Sequence, residues 1–377
     1  MATGGGPRYD VPRHLLPRDG RFGCGPSKVP SSAIQALAQE GAGLLGTSHR
    51  QAPVRQLVGR LRQGLAELFQ LPDGYEVALG NGGATSFWDS ACLSLIERRS
   101  QHLVFGEFSS KFAKASAASP FLEEPELITA EFGSHPLPQA SSDVDAYCLT
   151  HNETSTGVAM PIRRLGTPDQ LVLVDATSAA GGLAVELAEA DAYYFSPQKC
   201  FASEGGLWLA LLSPAAIERI FRVEDSDRWV PPSLSLRSSV ENSRQNQTYN
   251  TPAIATLFLL LHQVEQVLAK GGLAWAAARS KESSDIVYGW AEERAWASPF
   301  VREPGQRSPV VATIDLVPEI PAQRVSDVLR QNGIVDTDSY RKLGRNQLRL
   351  GLFPAVDPED VTQMTRSVDW VVEALSG

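Results

Sequence analysis

The sequence predicts an α/β protein with a large, mainly parallel seven-stranded sheet and a smaller C-terminal α+β domain. Three observations lead to this prediction. Between residues 75 and 212, seven short apolar runs are separated by helical or loop segments, as in a parallel sheet covered on both faces. A strand, a glycine-rich loop and a helix follow one another over residues 75–99. After residue 270 the pattern changes, because strands and helices alternate over a shorter span.

The elements of the large domain follow in chain order. Apolar residues recur at helical spacing from Val54 to Phe69 and predict an amphipathic helix, which ends at the turn Leu71–Gly74. A second helix is predicted at Ser86–Arg99, and a long one from Thr251 to about Ala269, before the glycines at 271 and 272. The seven strands are predicted at Tyr75–Leu79, Leu103–Phe105, Leu127–Thr129, Val144–Leu149, Leu171–Val174, Ala192–Phe195 and Leu207–Leu212.

The smaller domain is predicted from four further elements. These are a strand at Val310–Leu316, a helix at Ala322–Gln331, a strand at Leu348–Phe353 and a helix from Pro358. We therefore predict a flexible arm over residues 1–15, a large domain over residues 16–270 and a small domain over residues 271–377.

Composition excludes several classes of function. The 377 residues carry a net charge of −9 without a long basic run, which argues against a nucleic-acid surface. The most apolar run, Ala253–Leu261, is too short to cross a bilayer, and the N-terminus lacks the apolar segment of a secretory signal. The four scattered cysteines fit neither a disulfide framework nor a metal site. We expect a cytoplasmic protein without a structural metal ion.

A lysine and an aspartate follow two successive predicted strands. Asp175 ends the strand Leu171–Val174, and Lys199 comes shortly after Ala192–Phe195. Open α/β sheets bind their ligands at the carboxyl ends of the strands. The lysine amine can form a Schiff base with an aldehyde cofactor, and the carboxylate can keep a pyridine nitrogen protonated. A helix cap for the aspartate and a solvated surface for the lysine remain the alternatives.

A glycine-rich loop could hold the phosphate of such a cofactor. Gly80–Thr85 precedes a predicted helix, and the N-terminus of a helix offers free backbone N–H groups to an anion. An ordinary turn is the alternative for the loop taken alone. Pyridoxal phosphate would use the lysine, the aspartate and the loop together.

Six motifs resemble the phosphoserine aminotransferase family of class V, fold type I pyridoxal-phosphate enzymes, especially its actinobacterial branch. The resemblance extends from about Gly20 to the C-terminus. The motifs, in order, are Ser48–Arg50, Gly82–Thr85, His151–Gly157, Asp175–Ser178, Ser196–Lys199 and Tyr249–Pro252.

The resemblance implies the cofactor contacts. Lys199 would form the Schiff base and serve as the general base, and Asp175 would pair with the pyridine nitrogen. Phe108 matches the aromatic residue that stacks on the cofactor, with a core phenylalanine as the alternative. The other matching positions are Ala84, Thr85, Thr154, Thr177, Gln198 and, reaching from a neighbouring subunit, Asn250 and Thr251. This last pair implies a homodimer with shared active sites.

The resemblance also implies the substrate contacts. Arg349 matches the arginine that binds the α-carboxylate, and His49 with Arg50 matches the pair that binds the distal anion. A surface loop with a salt-bridging arginine is the alternative for that pair. The chain departs from many relatives, which have an arginine where it has Ala84–Thr85, and a His-Arg pair near its Tyr340–Arg345. We therefore expect other residues to help bind the distal anion, and the candidates are Arg341, Lys342 and Arg345.

The implied reaction is a ping-pong transfer of the amino group from L-glutamate to 3-phosphooxypyruvate, giving O-phospho-L-serine and 2-oxoglutarate. Some relatives also use a phosphorylated four-carbon oxo acid of vitamin B6 synthesis. A serine or alanine:glyoxylate aminotransferase and a non-catalytic relative are the alternatives. A cysteine desulfurase needs a late catalytic cysteine, and no cysteine follows Cys200.

Overall fold

The computed structural model describes residues 9–376, so the first eight residues of the predicted arm at residues 1–15 lie outside the described residues. The helices are α1 (Ser31–Glu40), α2 (Ala52–Leu68), α3 (Ala84–Ser94), α4 (Glu107–Ala118), α5 (Pro214–Glu224), α6 (Leu236–Arg244), α7 (Ile254–Ala269), α8 (Gly272–Glu292), α9 (Ala322–Gln331) and α10 (Pro358–Ser376). The strands are β1 (Glu76–Gly82), β2 (Ser100–Val104), β3 (Glu126–Thr129), β4 (Ala146–Thr150), β5 (Asn152–Glu153), β6 (Val158–Ala159), β7 (Leu171–Asp175), β8 (Ala192–Phe195), β9 (Gly206–Leu212), β10 (Ala297–Pro299), β11 (Val311–Leu316) and β12 (Gln347–Gly351).

The large sheet has seven strands in the order β1-β9-β8-β7-β4-β2-β3. Strand β9 runs antiparallel to both of its neighbours, and every other neighbouring pair is parallel. The predicted α/β class with a mainly parallel seven-stranded sheet is therefore confirmed. The parallel strands have their carboxyl ends at one edge, where Asp175 and Lys199 meet.

Strand β8 shows how the sheet is covered on both faces. Successive side chains of a strand point to opposite faces. Tyr193 and Phe195 belong to one apolar core together with Phe69, whereas Tyr194 belongs to the other, where its ring stacks on Phe87 at 4.2 Å between centroids. Each large side chain buried in this way contributes about 1.5–3 kcal/mol. This two-sided burial explains why the strands form continuous apolar runs in the sequence.

The smaller domain has its own core on a three-stranded antiparallel sheet, in the order β10-β11-β12. The chain before residue 23 contributes to this core, because Val11 and Phe22 are buried in it. The Asn332 side chain binds the backbone N–H of Val11 and the backbone carbonyl of Tyr9. The domain limits given above remain a prediction, but residues 9–22 pack with the C-terminal elements.

Two local features differ from the sequence-based expectation. Strand β1 continues to Gly82, beyond the predicted end at Leu79, because Gly80 pairs with Trp208 of β9. A Cβ at Gly80 would lie 2.4 Å from the Trp208 ring, so only glycine fits there. A further helix, α8, starts directly after Gly271, whose φ of 114° favours glycine. Within residues 9–376, no helix combines the length and apolar character needed to span a membrane.

Candidate active site

A cavity of about 590 Å³ lies at the carboxyl ends of the parallel strands, between the two domains. Nine of the predicted site residues line it: Ala84, Thr85, Phe108, Thr154, Asp175, Thr177, Gln198, Lys199 and Arg349. The other seven do not line it: His49, Arg50, Asn250, Thr251, Arg341, Lys342 and Arg345. The cavity therefore brings together the residues expected to bind the cofactor from this chain.

Lys199 lies in the cavity wall and is only 7% exposed. Its Nζ donates a hydrogen bond to Thr154 Oγ1 at 2.9 Å and lies 5.1 Å from the centroid of the Phe108 ring. Burial lowers the pKa of the Lys199 ammonium, and the charge of Asp175 partly opposes this effect. More of the lysine is thus a neutral, nucleophilic amine at a given pH. Gly25 beside the lysine has a φ of 137°, which favours glycine, and a Cβ there would lie 2.9 Å from the Lys199 Cε.

A chain of hydrogen bonds fixes the acceptor of the lysine. The Thr154 hydroxyl donates its hydrogen to Ser178 Oγ at 2.9 Å, and the Ser178 hydroxyl donates to the backbone carbonyl of Asn152 at 2.9 Å. The Thr154 oxygen is therefore left to accept from Lys199. Because all of these groups are buried, they place the amine at one point of the wall.

Asp175 ends β7 with a carboxylate that is 4% exposed. Its Oδ1 accepts a hydrogen bond from the backbone N–H of Thr177 at 2.9 Å, and its Oδ2 accepts one from Trp88 Nε1 at 3.0 Å. The residues that follow it form turns and not a helix, so the alternative of a helix cap does not apply. The carboxylate is held by two donors and faces the cavity.

The N-terminus of α3 supplies the candidate phosphate cradle. Gly82, Gly83, Ala84, Thr85 and Ser86 line the cavity there. The first N–H groups of a helix have no acceptor within the helix and attract anions. Gly82 has a φ of 123°, and a Cβ on it would lie 2.7 Å from the Ser86 Cβ. The glycine therefore allows the tight approach of strand and helix.

Phe108 lies at the start of α4 and is held there by Glu153. The Glu153 carboxylate is fully buried and accepts hydrogen bonds from the backbone N–H groups of Phe108 at 3.1 Å and Ser109 at 2.9 Å. It caps the helix where the macrodipole favours a negative charge. The Phe108 ring is only partly buried and faces the cavity, which places it where a stacking residue is expected.

The smaller domain closes the cavity with Arg349 and Tyr340. Arg349 Nη1 donates a hydrogen bond to the backbone carbonyl of Thr154 at 3.3 Å. The guanidinium lies 5.1 Å from the centroid of the Tyr340 ring, which in turn lies 6.2 Å from that of Phe108. The predicted carboxylate-binding arginine therefore lies opposite the cofactor-binding wall.

His49, Arg50, Asn250 and Thr251 form a second group, called the rim here. His49 Nδ1 and Thr251 Oγ1 lie 3.2 Å apart, and the guanidinium of Arg50 donates to the backbone carbonyl of Tyr249 at 2.9 Å. Asn81 of β1, which precedes the cavity residue Gly82, donates from its Nδ2 to the backbone carbonyl of Thr251 at 3.0 Å. Burial and the charge of Arg50 lower the pKa of His49.

The segment Arg341–Arg345 lies outside the cavity lining. Arg345 donates to the Asp315 carboxylate at 3.1 Å, and its guanidinium lies 4.4 Å from the Phe300 ring centroid. Lys342 pairs with Glu107 at the start of α4. Arg341 is exposed. Of the three predicted candidates, Arg345 is thus paired with Asp315, and Lys342 is paired with Glu107, the residue before Phe108.

Comparisons with known proteins agree with this geometry. A family model described as aminotransferase class-V matches residues 136–337. A putative phosphoserine aminotransferase of Mycobacterium avium is 60% identical, over 98% of this chain and 99% of its own length. The chain belongs to the class-V aminotransferases. Within them it groups with the phosphoserine aminotransferases, since a protein of that name from Nocardioides sp. is also 60% identical, over 97% of this chain and 98% of its own.

Solved structures share the fold of this chain. A phosphoserine aminotransferase from Cytophaga hutchinsonii superposes with a TM-score of 0.87 at 25% identity, covering 94% of this chain and 99% of that one. One from Bacillus circulans has a TM-score of 0.83 at 19% identity, covers 95% and 99% of the two chains, and shows the common fold. The predicted family and fold are confirmed, and so is the prediction of a pyridoxal-phosphate-dependent transaminase.

The cavity of this class-V aminotransferase fits pyridoxal phosphate. Among residues 9–376, four buried polar atoms in its lining lack a hydrogen-bond partner: Asn152 Oδ1, Thr177 Oγ1, Gln198 Oε1 and Arg349 Nε. Buried polar groups are rarely left unpaired, so these atoms are available to bind a polar ligand. Together with the buried amine, the buried carboxylate and the α3 cradle, they match an aldehyde, a ring nitrogen and a phosphate.

Sequence reasoning missed several residues of this class-V site, and three of them have large side chains that shape it. Trp88 and Tyr340 line the cavity, and Glu153 holds the start of α4. Trp88 falls on the apolar spacing of a helix, which indicates only a core residue. Glu153 lies within the quoted motif His151–Gly157, so its position in the motif was the available signal, but its target in α4 could not be read from the sequence.

Proposed function

We propose that this chain transfers the amino group of L-glutamate to 3-phosphooxypyruvate, producing 2-oxoglutarate and O-phospho-L-serine. The observation that carries the proposal is the single cavity that holds the buried Lys199 amine, the buried Asp175 carboxylate and Arg349. The relatives named phosphoserine aminotransferase, at 60% identity over nearly the full chain, support the choice of substrates.

Bound pyridoxal phosphate supplies an aldehyde carbon for the lysine amine and a ring that accepts electrons from the substrate Cα. The Nζ of Lys199 removes the proton from the Cα of the amino donor and returns a proton during the second half of the cycle. Its lowered pKa suits this work, because the base must be unprotonated to accept a proton. The hydroxyl of Thr154 holds the amine in place between these steps.

The other residues of the cavity hold the cofactor and the substrate. Asp175 would hold a proton at the pyridine nitrogen of the bound cofactor, and the Phe108 ring would stack on the ring of the cofactor. Thr177, Gln198 and the α3 N-terminus, with Ala84 and Thr85, bind the phosphate. Arg349 binds the α-carboxylate as a forked donor, a geometry that suits arginine.

The distal anion of each substrate is bound by the rim residues His49 and Arg50, with Arg341 or Lys342 as further cations. Arg50 donates to neutral oxygens, and none of these contacts supplies a negative charge to balance the guanidinium. The rim does not line the cavity of its own chain, which supports a homodimer in which Asn250 and Thr251 reach the phosphate of the neighbouring subunit. A cytoplasmic location belongs to the same proposal, and the four buried free cysteines support it.

Substrate choice is tested with glutamate as the amino donor and three acceptors: 3-phosphooxypyruvate, glyoxylate and pyruvate. The proposal predicts that kcat/KM is highest for 3-phosphooxypyruvate by at least about 100-fold, since two charge-assisted contacts are lost with the small acceptors. Equal or higher values with glyoxylate would instead support the alternative glyoxylate aminotransferase.

Shared active sites are tested by mixing two inactive subunits. Lys199→Ala and a double variant with Asn250→Ala and Thr251→Ala are each prepared alone, then unfolded and refolded together. If sites are shared, one site of each mixed dimer contains only wild-type residues, so activity returns to about a quarter of the wild-type value in an equal mixture of the two chains. Activity that stays at the level of the separate variants would refute sharing.

A further inference from the structure

Trp88 lies in the second turn of α3 and is 4% exposed. Its indole Nε1 donates a hydrogen bond to Asp175 Oδ2 at 3.0 Å. We infer that Trp88 is a positioning residue that acts through Asp175, the partner of the cofactor's ring nitrogen. Its hydrogen bond fixes the orientation of the Asp175 carboxylate and stabilises the negative charge of that group. This inference rests on the proposed function only in that pyridoxal phosphate occupies the cavity.

The carboxylate is held at both oxygens by donors from different parts of the chain. Oδ1 binds the backbone N–H of Thr177, two residues along, and Oδ2 binds the indole of Trp88 on α3. Two bonds to different oxygens prevent the carboxylate from rotating, while each oxygen keeps a further lone pair for another donor. Without Trp88, the local turn at Thr177 would be the remaining contact that sets the direction of the group.

An indole is a suitable donor because it is neutral. Burial disfavours the charge of a carboxylate, and a hydrogen bond to the charged form restores it. A cationic donor at this point would do the same but would repel a protonated pyridine nitrogen. The indole N–H carries no net charge, so it would hold the carboxylate without repelling a protonated ring nitrogen. Trp88 packs against the Phe112 ring in the buried core, where low polarity strengthens the bond.

Packing alone is the competing explanation for Trp88. Its ring is nearly parallel to that of Phe112, with centroids 6.1 Å apart, and belongs to the core on that face of the sheet. Trp208 provides a matched control. It belongs to the same core, is 3% exposed and contacts Phe87 at 5.1 Å between centroids, but it does not line the cavity. Replacing either tryptophan by phenylalanine removes the same atoms.

The first experiment measures cofactor binding and turnover in Trp88→Phe and Trp208→Phe. Equilibrium dialysis of the apo proteins gives the dissociation constant of pyridoxal phosphate. For Trp88→Phe we expect about a tenfold weaker binding and about a tenfold lower kcat, with the KM of glutamate within about twofold, as expected for the loss of one charge-assisted bond. For Trp208→Phe we expect a lower melting temperature and a dissociation constant within about twofold of wild type. Equal weakening in both variants would mean that Trp88 acts only by packing.

The second experiment is a double-mutant cycle with Asp175→Ala, which removes the acceptor. If Trp88 acts through Asp175, adding Trp88→Phe to Asp175→Ala changes the dissociation constant by less than about twofold. The same tenfold change in both backgrounds would overturn the inference. Because the readout is cofactor binding, it is independent of the acceptor substrate. The inference can fail while 3-phosphooxypyruvate remains the substrate, and the reverse is equally possible.

Discussion

The buried wall of the cavity and its exposed rim hold their polar groups in different ways. In the wall, Lys199 and Asp175 are less than one-tenth exposed, and each is hydrogen-bonded to a group of the same chain. In the rim, Arg50 and Thr251 are exposed, and Arg50 contacts neutral oxygens. The residues proposed for the chemistry thus have hydrogen-bond partners within their own chain, whereas Arg50, which is proposed for anion recognition, is exposed.

This difference has an energetic consequence. Removing one partner from a buried charge-assisted pair costs about 1–3 kcal/mol or more, whereas an exposed pair contributes at most about 1 kcal/mol. We therefore expect substitutions in the wall to change catalysis or stability, and substitutions of the rim residues His49 and Arg50 to change substrate affinity alone.

The largest effect is expected from Lys199→Ala. This variant loses both the nucleophilic amine and the general base, so kcat should fall on the order of 10⁴-fold. The melting temperature and the far-ultraviolet circular dichroism should show that the protein still folds. Appreciable transamination by the purified variant would contradict the role of Lys199.

A smaller loss is expected from Asp175→Asn. The amide keeps the size of the side chain but cannot keep a proton at the ring nitrogen. The variant should still bind pyridoxal phosphate, while kcat falls by about 10²- to 10³-fold. Steady-state kinetics at saturating cofactor measure this change, and near-normal turnover would rule out the assigned role.

The main effect expected from Glu153→Gln is a loss of stability. Glu153 accepts hydrogen bonds from the first N–H groups of α4, and the amide replaces a charged acceptor with a neutral one. The free energy of unfolding in urea should fall by about 1–3 kcal/mol. Glu107→Gln, at an exposed pair on the same helix turn, serves as the control and should change it by less than about 1 kcal/mol. Equal changes in both variants would mean that the wall is no more tightly held than the surface.

The smallest predicted effect concerns pH. Because burial lowers the pKa of Lys199, the neutral amine accumulates at a lower pH than for an ordinary lysine, whose value is 10.5. The rate at which the apo protein takes up pyridoxal phosphate should rise with pH and level off with a midpoint below 10.5. A midpoint at or above 10.5 would mean that burial does not control the charge of Lys199.

The strand ends of the wall were predictable from residue patterns, whereas the rim residues were named by resemblance alone, and their contacts with one another were not predictable. The end of a strand is a local feature of the sequence. Asp175 follows the run Leu171–Val174, and Lys199 follows the run Ala192–Phe195, which indicated that both lie at the same edge of a sheet. Trp88 looks like a core residue until the fold brings it to Asp175. The glycines of β1 looked like a loop, because the requirement for glycine comes from Trp208 on a distant strand.

The helix α8 shows a further limit of the sequence. Its first turns are rich in alanine, and serines occupy several of its buried positions, including Ser280, Ser283 and Ser284, so it lacks the apolar periodicity that marks α2. It contributes to a core of each domain. Ala276 belongs to the core of the large domain that contains Phe195, and Val287 belongs to the core of the smaller domain. The helix is stabilised by contacts with both domains, so its buried residues do not form the single apolar face that sequence periodicity detects.

The central claim is that the wall performs the chemistry and the rim selects the phosphorylated acceptor. It is tested most directly by kcat/KM for 3-phosphooxypyruvate and for glyoxylate in the wild type, in Arg50→Ala and in Arg55→Ala, an exposed arginine of α2 that serves as the control. We predict that Arg50→Ala lowers the value for 3-phosphooxypyruvate by about 10- to 100-fold and leaves that for glyoxylate within about twofold, while Arg55→Ala changes neither. An equal loss with both acceptors in Arg50→Ala would contradict the claim.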